Sequence, residues 1–193
     1  MSNRRDNILQ EAARLFRTNG YAQTTVREIA EAVDMQSGSL FYHFASKEDI
    51  LVEIMGDGIN LLISKLEESL KSAVTPREKL LALLTVHLTA VLEEAPDAMG
   101  LYLYEWRSLS ADARDKLTQQ RDSYEKHVND LLSEIAVAGL ISPDVKLFRL
   151  FLLGALNWTA EWFDSGGQLN AREIAGRFLQ FITFSNENIR SSR

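Results

Sequence analysis

The chain has 193 residues, 46% of them apolar and 25% charged, with a formal net charge of −6; this is ordinary globular usage and excludes a disordered chain. It holds no cysteine, which excludes disulfides, thiolate metal sites and cysteine nucleophiles together. No apolar run approaches the ~18 residues of a membrane span, and MSNRRDNILQ has no apolar segment behind its arginines, so a cytoplasmic protein without membrane association is expected.

A first helix is predicted over 3–19, with Ile8, Ala12, Leu15 and Phe16 on one face and Gly20 as its stop. The capping box Thr25-Val-Arg-Glu28 opens a second helix over 26–33, anchored by Val26, Ile29, Ala30 and Val33. The segment VDMQ is a turn of helix-turn-helix length, and a third short helix follows over 37–43. Met35 and Leu40 complete this small core. Ser37, Gly38 and Ser39 then face outward, and side chains this small let a helix backbone approach the floor of a major groove.

Four consecutive rings end the third helix. The Tyr42 hydroxyl can bond a phosphate, while Phe41 and Phe44 are expected to wedge the short helix against the long one behind it. Lys47 stands in the first turn of the next helix, beside N–H groups that already favour anions. Thr25 and Arg27 offer a hydroxyl and a guanidinium to a nucleic-acid backbone. His43 has no partner nearby that would make it a metal ligand and is taken as structural or phosphate-facing. Residues 1–50 hold six basic and seven acidic side chains, so any contact with DNA must rest on where the charges sit rather than on their sum.

Further helices are predicted over 48–72, 76–94 (from the capping box Thr75-Pro-Arg-Glu78), 97–108 and 111–138. The last carries an apolar stripe of Leu117, Tyr124, Val128, Leu131 and Ile135 with Arg121 in its middle. A buried guanidinium needs an anionic partner, either a neighbouring Glu or a ligand's carboxylate, phosphate or thioester-linked group. Tyr102, Trp106, Tyr124 and His127 are expected to surround the same space, with His87 from the apolar run LLTVHLTAVL. Ser142-Pro143 and Asn170-Ala-Arg-Glu173 open two final helices. The first is apolar on two faces, one with Phe151, Ala155, Trp158 and Trp162, the other with Phe148, Leu152, Leu156 and Phe163. Its partner carries Ile174, Phe178, Phe181 and Ile182. The chain is therefore expected to be all-α, with about nine helices.

The segment TTVREIAEAVDMQSGSLFYHFASKEDIL resembles the DNA-binding segment of the TetR family of bacterial one-component regulators. The matching features are the Thr-x-x-x-Ile-Ala helix, the run from Gly38 to Phe44, and Ser46-Lys-Glu before a long helix. The resemblance implies a helix-turn-helix DNA-binding domain at 1–47 and a ligand-binding and dimerisation domain at 48–193. It implies double-stranded operator DNA, bound by Thr25, Arg27, Gln36, Ser37, Gly38, Ser39, Tyr42, His43 and Lys47. It further implies a homodimer built by a four-helix bundle of the last two helices, through Phe151, Trp158, Trp162, Phe178, Phe181 and Ile182. Two positions depart from the family pattern. Asp34 replaces the usual turn glycine, and Asp tolerates the left-handed conformation. Gln36 replaces the usual Ser or Thr cap and can itself pair with adenine.

The segments YEWRSL, LNWTAEWF and GGQLNAREIA are similar to a subset of these regulators that responds to acyl-CoA thioesters. This implies an acyl-CoA or another apolar anionic ligand as effector, with no cofactor and no metal. The alternative is a helical enzyme or carrier for a lipid-like molecule. Against it, the chain lacks HExxH, a Glu-x-x-His pair, a Gly-rich phosphate loop and a thiol, so no enzymatic activity is expected.

Overall fold

Local chemistry sets the helix starts. Thr25 Oγ1 accepts the Glu28 N–H at 3.2 Å while the Glu28 carboxylate accepts the Thr25 N–H at 2.7 Å. Thr75 with Glu78 repeats this arrangement at 3.2 and 2.8 Å, and Asn170 with Glu173 at 2.9 Å each way. Each box satisfies two N–H groups that a helix start otherwise leaves without partners.

The computed structural model describes residues 4–190. Among them lie nine α-helices and no strand: α1 (Arg4–Asn19), α2 (Val26–Ala32), α3 (Ser37–His43), α4 (Lys47–Leu70), α5 (Pro76–Thr89), α6 (Pro96–Tyr104), α7 (Ala111–Val137), α8 (Val145–Trp162) and α9 (Ala171–Arg190). Residue 3, where the first helix was expected to begin, lies outside the described residues. None of the described helices is long and apolar enough to cross a membrane.

Two expected helices are interrupted. The segment 76–94 is not one α-helix, because Ala90–Glu94 forms a π-helical turn after α5. The Ala95 N–H reaches back five residues to the Ala90 carbonyl at 3.1 Å, and Pro96 has no N–H to carry the ladder onward. The segment 97–108 likewise stops at Tyr104, and Trp106–Ser108 makes a separate 3₁₀ turn.

The chain divides into two compact units. The first comprises Met1–Ile59 with Asp97–Arg121, the second Asn60–Pro96 with Asp122–Arg193. In the first, Ile8, Ala12 and Phe16 of α1, Ile29 of α2, Leu40 of α3, and Ile50, Leu51 and Met55 of α4 are all essentially inaccessible. Ala12 aside, each side chain so buried contributes roughly 1.5–3 kcal/mol. Gly100 of α6 has a packing reason to lack a side chain, since a Cβ there would stand 2.7 Å from Arg17 Cζ. Arg17 continues over the Tyr104 ring, 5.6 Å from its centroid.

In the second unit α5 is the buried centre, with Leu80, Leu83, Leu84 and Leu88 inaccessible, and it packs against α8 and α9. The π turn directs two carboxylates to partners. Glu93 accepts the Ala171 N–H at the start of α9 at 2.9 Å, and Glu94 pairs with Lys65 at 3.0 Å.

Candidate functional site

The helix-turn-helix is built on few residues. Asp34 takes φ +53, the left-handed conformation the turn needs. The following Met35 N–H then returns to the Ala30 carbonyl at 2.8 Å. Leu40 is the buried anchor of α3, leaving most of its two turns to solvent. Gln36 precedes α3 as its N-cap but makes no capping bond through its side chain, so its amide stays available. Ser39 and Gly38 are exposed, and a Cβ at Gly38 would meet nothing within 4 Å. Neither packing nor backbone conformation calls for glycine there, although glycine weakens a helix by up to ~1 kcal/mol relative to Ala. Tyr42 is 90% exposed, with its ring set edge-on against His43 at 5.5 Å. Thr25 and Arg27 are exposed on α2, and Arg27 pairs with Glu31 at 2.8 Å.

Two expectations for this region need correcting. Phe41 does not wedge α3 inward; it is 53% exposed, whereas Phe44 is buried. Phe41 follows Leu40 on a two-turn helix, so burying Leu40 turns Phe41 toward water. Lys47 is not simply a cation held out beside a helix start. Its ammonium donates to the Tyr21 and Thr24 carbonyls at 2.7 and 2.8 Å and sits 4.4 Å from the Tyr21 ring centroid. Two of its three N–H groups therefore hold the α1–α2 loop.

The expected effector residues fall into separate groups. In the first unit, Tyr102 meets Trp106 edge-to-face at 5.6 Å, and the Arg121 guanidinium lies 5.7 Å from the Trp106 centroid. Arg121 is half-buried rather than enclosed in the apolar stripe. In the second unit, His87 Nδ1 stands 2.9 Å from the Tyr124 hydroxyl and His87 Nε2 2.9 Å from Asn157 Oδ1. An amide oxygen only accepts, so Nε2 carries the proton and bare Nδ1 accepts from Tyr124. Burial holds His87 down at about 4, against the pull of its Asn157 bond. Burial also pushes the Tyr124 hydroxyl up. His127 does not join either group. It is exposed, donates through Nδ1 to the Ser123 carbonyl at 2.8 Å, and faces Glu67 at 3.3 Å. It directly precedes the buried Val128, and one residue turns a helix by about 100°, which carries His127 off the stripe.

On α8 and α9, Phe151, Trp158, Trp162 and Phe181 are 70%, 64%, 54% and 72% exposed, joined by Leu147 and Leu150; Phe178 and Ile182 are half-buried. Leu152 and Leu156 fill the opposite, buried face of α8. So large an uncovered ring surface is unusual for a monomer.

Sequence reasoning missed three participants: Asn157, Arg5 and Glu53. Asn157 is the polar interruption in FLLGALNWTAEWF, a signal open to use. Arg5 and Glu53 form a bidentate pair at 2.5 and 2.6 Å, and no local pattern joins residues 48 positions apart.

Comparison with known proteins agrees with this geometry. The family model described as "Bacterial regulatory proteins, tetR family" matches residues 8–54, and "Tetracyclin repressor-like, C-terminal domain" matches residues 73–184. The HTH-type transcriptional repressor KstR2 of Mycolicibacterium smegmatis is 30% identical over 94% of this chain and 89% of its own. The fatty acid metabolism regulator protein of Bacillus subtilis is 27% identical over 94% of both. Among solved structures, AibR in complex with isovaleryl coenzyme A and operator DNA superposes with a TM-score of 0.84, at 27% identity over 94% of this chain and 98% of AibR. The superantigen PfiT has a TM-score of 0.81 at 41% identity, over 94% and 96%. With an exposed recognition helix on a helix-turn-helix and both family halves matched, the chain belongs to the TetR family of DNA-binding transcriptional regulators.

Proposed function

We propose that the chain is a ligand-responsive repressor that binds a near-palindromic operator as a homodimer and leaves it when a small-molecule effector binds. In this reading residues 1–47 carry DNA binding and residues 48–193 effector binding and dimerisation. The surface of α3 supports it most. Gly38 stands there with open space beside it, flanked by Ser37, Ser39 and the free amide of Gln36. These groups read base edges, and Thr25, Arg27, Tyr42, His43 and the remaining N–H of Lys47 take phosphates. The exposed rings of α8 and α9 form the dimer face, which spaces two copies of α3 for successive major grooves ~34–36 Å apart.

The effector is an apolar molecule with an anionic head, of the acyl-CoA class. Arg121 meets the anion, with Trp106 and Tyr102 beside it. His127 has no part in it. The similarity to AibR, described with isovaleryl coenzyme A, supports this class, as does that to the fatty acid metabolism regulator. The protein acts in the cytoplasm and has no catalytic role. An effector can release DNA only through its differential affinity for the free and bound conformations.

Footprinting on DNA flanking the protein's own gene, across a salt series with and without a long-chain acyl-CoA, tests the reading. A symmetric protected site lost on adding acyl-CoA supports it. Persistence of the site with acyl-CoA refutes that ligand class. Failure to select any duplex from a random pool refutes DNA binding and leaves the helical enzyme or carrier.

A further inference from the structure

We propose that Arg5 positions the recognition helix for DNA: held by Glu53 of α4, its guanidinium clamps the Phe44 ring that ends α3. The proposal rests on the DNA-binding reading and deepens it, assigning a determinant of operator affinity that touches no DNA.

Three elements meet on this one side chain. Arg5 belongs to the first turns of α1, and both its terminal nitrogens bond the Glu53 carboxylate, at 2.5 and 2.6 Å. Its Cζ lies 4.2 Å above the centroid of Phe44, close enough for a cation–π contact. Phe44 is the C-cap of α3, with its N–H on the Leu40 carbonyl, and is itself buried. Since α3 has Leu40 as its buried anchor, the Phe44 ring is its second point of attachment. A seven-residue helix held at two points can tilt about one if the other is loosened. A tilt of α3 moves Gln36 and Ser39 relative to base edges, where bidentate contacts tolerate little misplacement.

The pair is poorly suited to a purely stabilising role. Its side chains keep 37% and 31% exposure, so solvent screens the attraction. Both residues line an open cleft of about 650 Å³ with Asp57, Lys116 and Gln120. Burial pushes the Glu53 carboxyl up, with Asp57 adding to the effect, although Arg5 pulls it down. An ion pair near energetic balance serves geometry more than stability.

Glu53→Gln separates this role from simple electrostatics by sign. The change removes a negative charge from the DNA-binding unit, so charge alone predicts tighter binding to every duplex. The clamp predicts weaker binding to the operator. The probe is a duplex selected by the wild-type protein from a random-sequence pool, with an unrelated duplex as the non-specific reference. Active fractions come from stoichiometric titration. We expect Glu53→Gln and Arg5→Lys each to weaken operator binding about tenfold, with non-specific binding unchanged in Arg5→Lys and no weaker in Glu53→Gln, and with the salt slope unchanged. The double variant should lose no more than either single one, since both break the same contact. A protein merely less stable would lose active fraction in both titrations instead.

Tighter or unaltered operator binding by Glu53→Gln overturns the clamp. So does a salt slope lowered by about 0.9 in Arg5→Gln, which marks a direct phosphate contact. If wild-type protein selects no duplex, the DNA-binding reading falls and the clamp with it; if it selects one and Glu53→Gln binds it equally, only the clamp falls.

Discussion

Stability should fall steeply between pH 6.5 and pH 4, and His87 should be the cause. Both ring nitrogens of His87 are occupied, by Tyr124 and Asn157, with the ring neutral. Burial holds it at about 4 in the folded protein, while an unfolded chain leaves histidine near 6.5. The sign follows from proton binding. Above pH 6.5 neither state binds a proton on this ring, and the neutral form's contribution is complete. As pH falls from 6.5 to 4, the unfolded chain takes up a proton that the folded one refuses, so stability is lost progressively. At about 1.4 kcal/mol per pH unit, the whole interval is worth about 3 kcal/mol, a large part of the 5–15 kcal/mol typical of a domain. Urea unfolding at fixed protomer concentration, from pH 7.5 to 4.5, should show this loss in wild type and a flatter profile in His87→Gln. Proton NMR checks the assignment directly: the His87 ring should show no titration near neutral pH. A His87 signal with a midpoint near 6.5, or parallel pH profiles for wild type and variant, would refute the buried neutral network.

Other outcomes test the remaining surfaces. Gly38→Ala should raise the melting temperature slightly, by about 0.5 kcal/mol of stability, and weaken operator binding at least several-fold, since a methyl there meets only the DNA. Unchanged affinity would deny close approach of α3 to the groove. Lys47→Ala should cost about 1–2 kcal/mol of stability in chemical denaturation by freeing two carbonyls, and should lower the salt slope of binding by about one. A stability loss with an unaltered slope would make Lys47 a clamp on the α1–α2 loop and nothing more. Trp158→Asp with Phe181→Asp should yield monomers in analytical ultracentrifugation, because two central rings of an interface carry much of its energy. A dimer that persists through both changes would place the interface elsewhere.

Helix starts were legible because their chemistry is local. Thr25 with Glu28, Thr75 with Glu78 and Asn170 with Glu173 each span three residues, and a capping box is complete within one turn. The α7 stripe was legible for the same reason: a step of three or four residues kept Leu117, Tyr124, Val128, Leu131 and Ile135 all buried. What escaped is non-local. The π turn depends on what Glu93 must reach at Ala171. Asn157 gains its meaning from His87, 70 positions away. Phe41 and Phe44 are the same residue three positions apart, yet only Phe44 is buried, with Arg5, held by Glu53, over its ring.

The charge sum is a poor guide to this protein for a physical reason. Seven acidic residues among the first 50 argue against a polyanion as partner, yet several of them are already committed. Glu28 is held by the Thr25 N–H and hydroxyl, which keep its carboxyl below the usual range. Asp49 accepts from Ser46 at 2.8 Å, and Glu48 accepts the Ser110 N–H at 2.6 Å. Glu31 offsets Arg27, but both are largely exposed, and solvent screens such a pair. A phosphate can therefore draw Arg27 away at little cost. The carboxylates serve as helix caps and cross-links, while Gln36, Ser37, Gly38, Ser39 and Tyr42 present a surface with no negative side chain. A DNA-binding face needs local absence of negative charge more than an overall positive sum, and that absence is visible only once each carboxylate's partner is known.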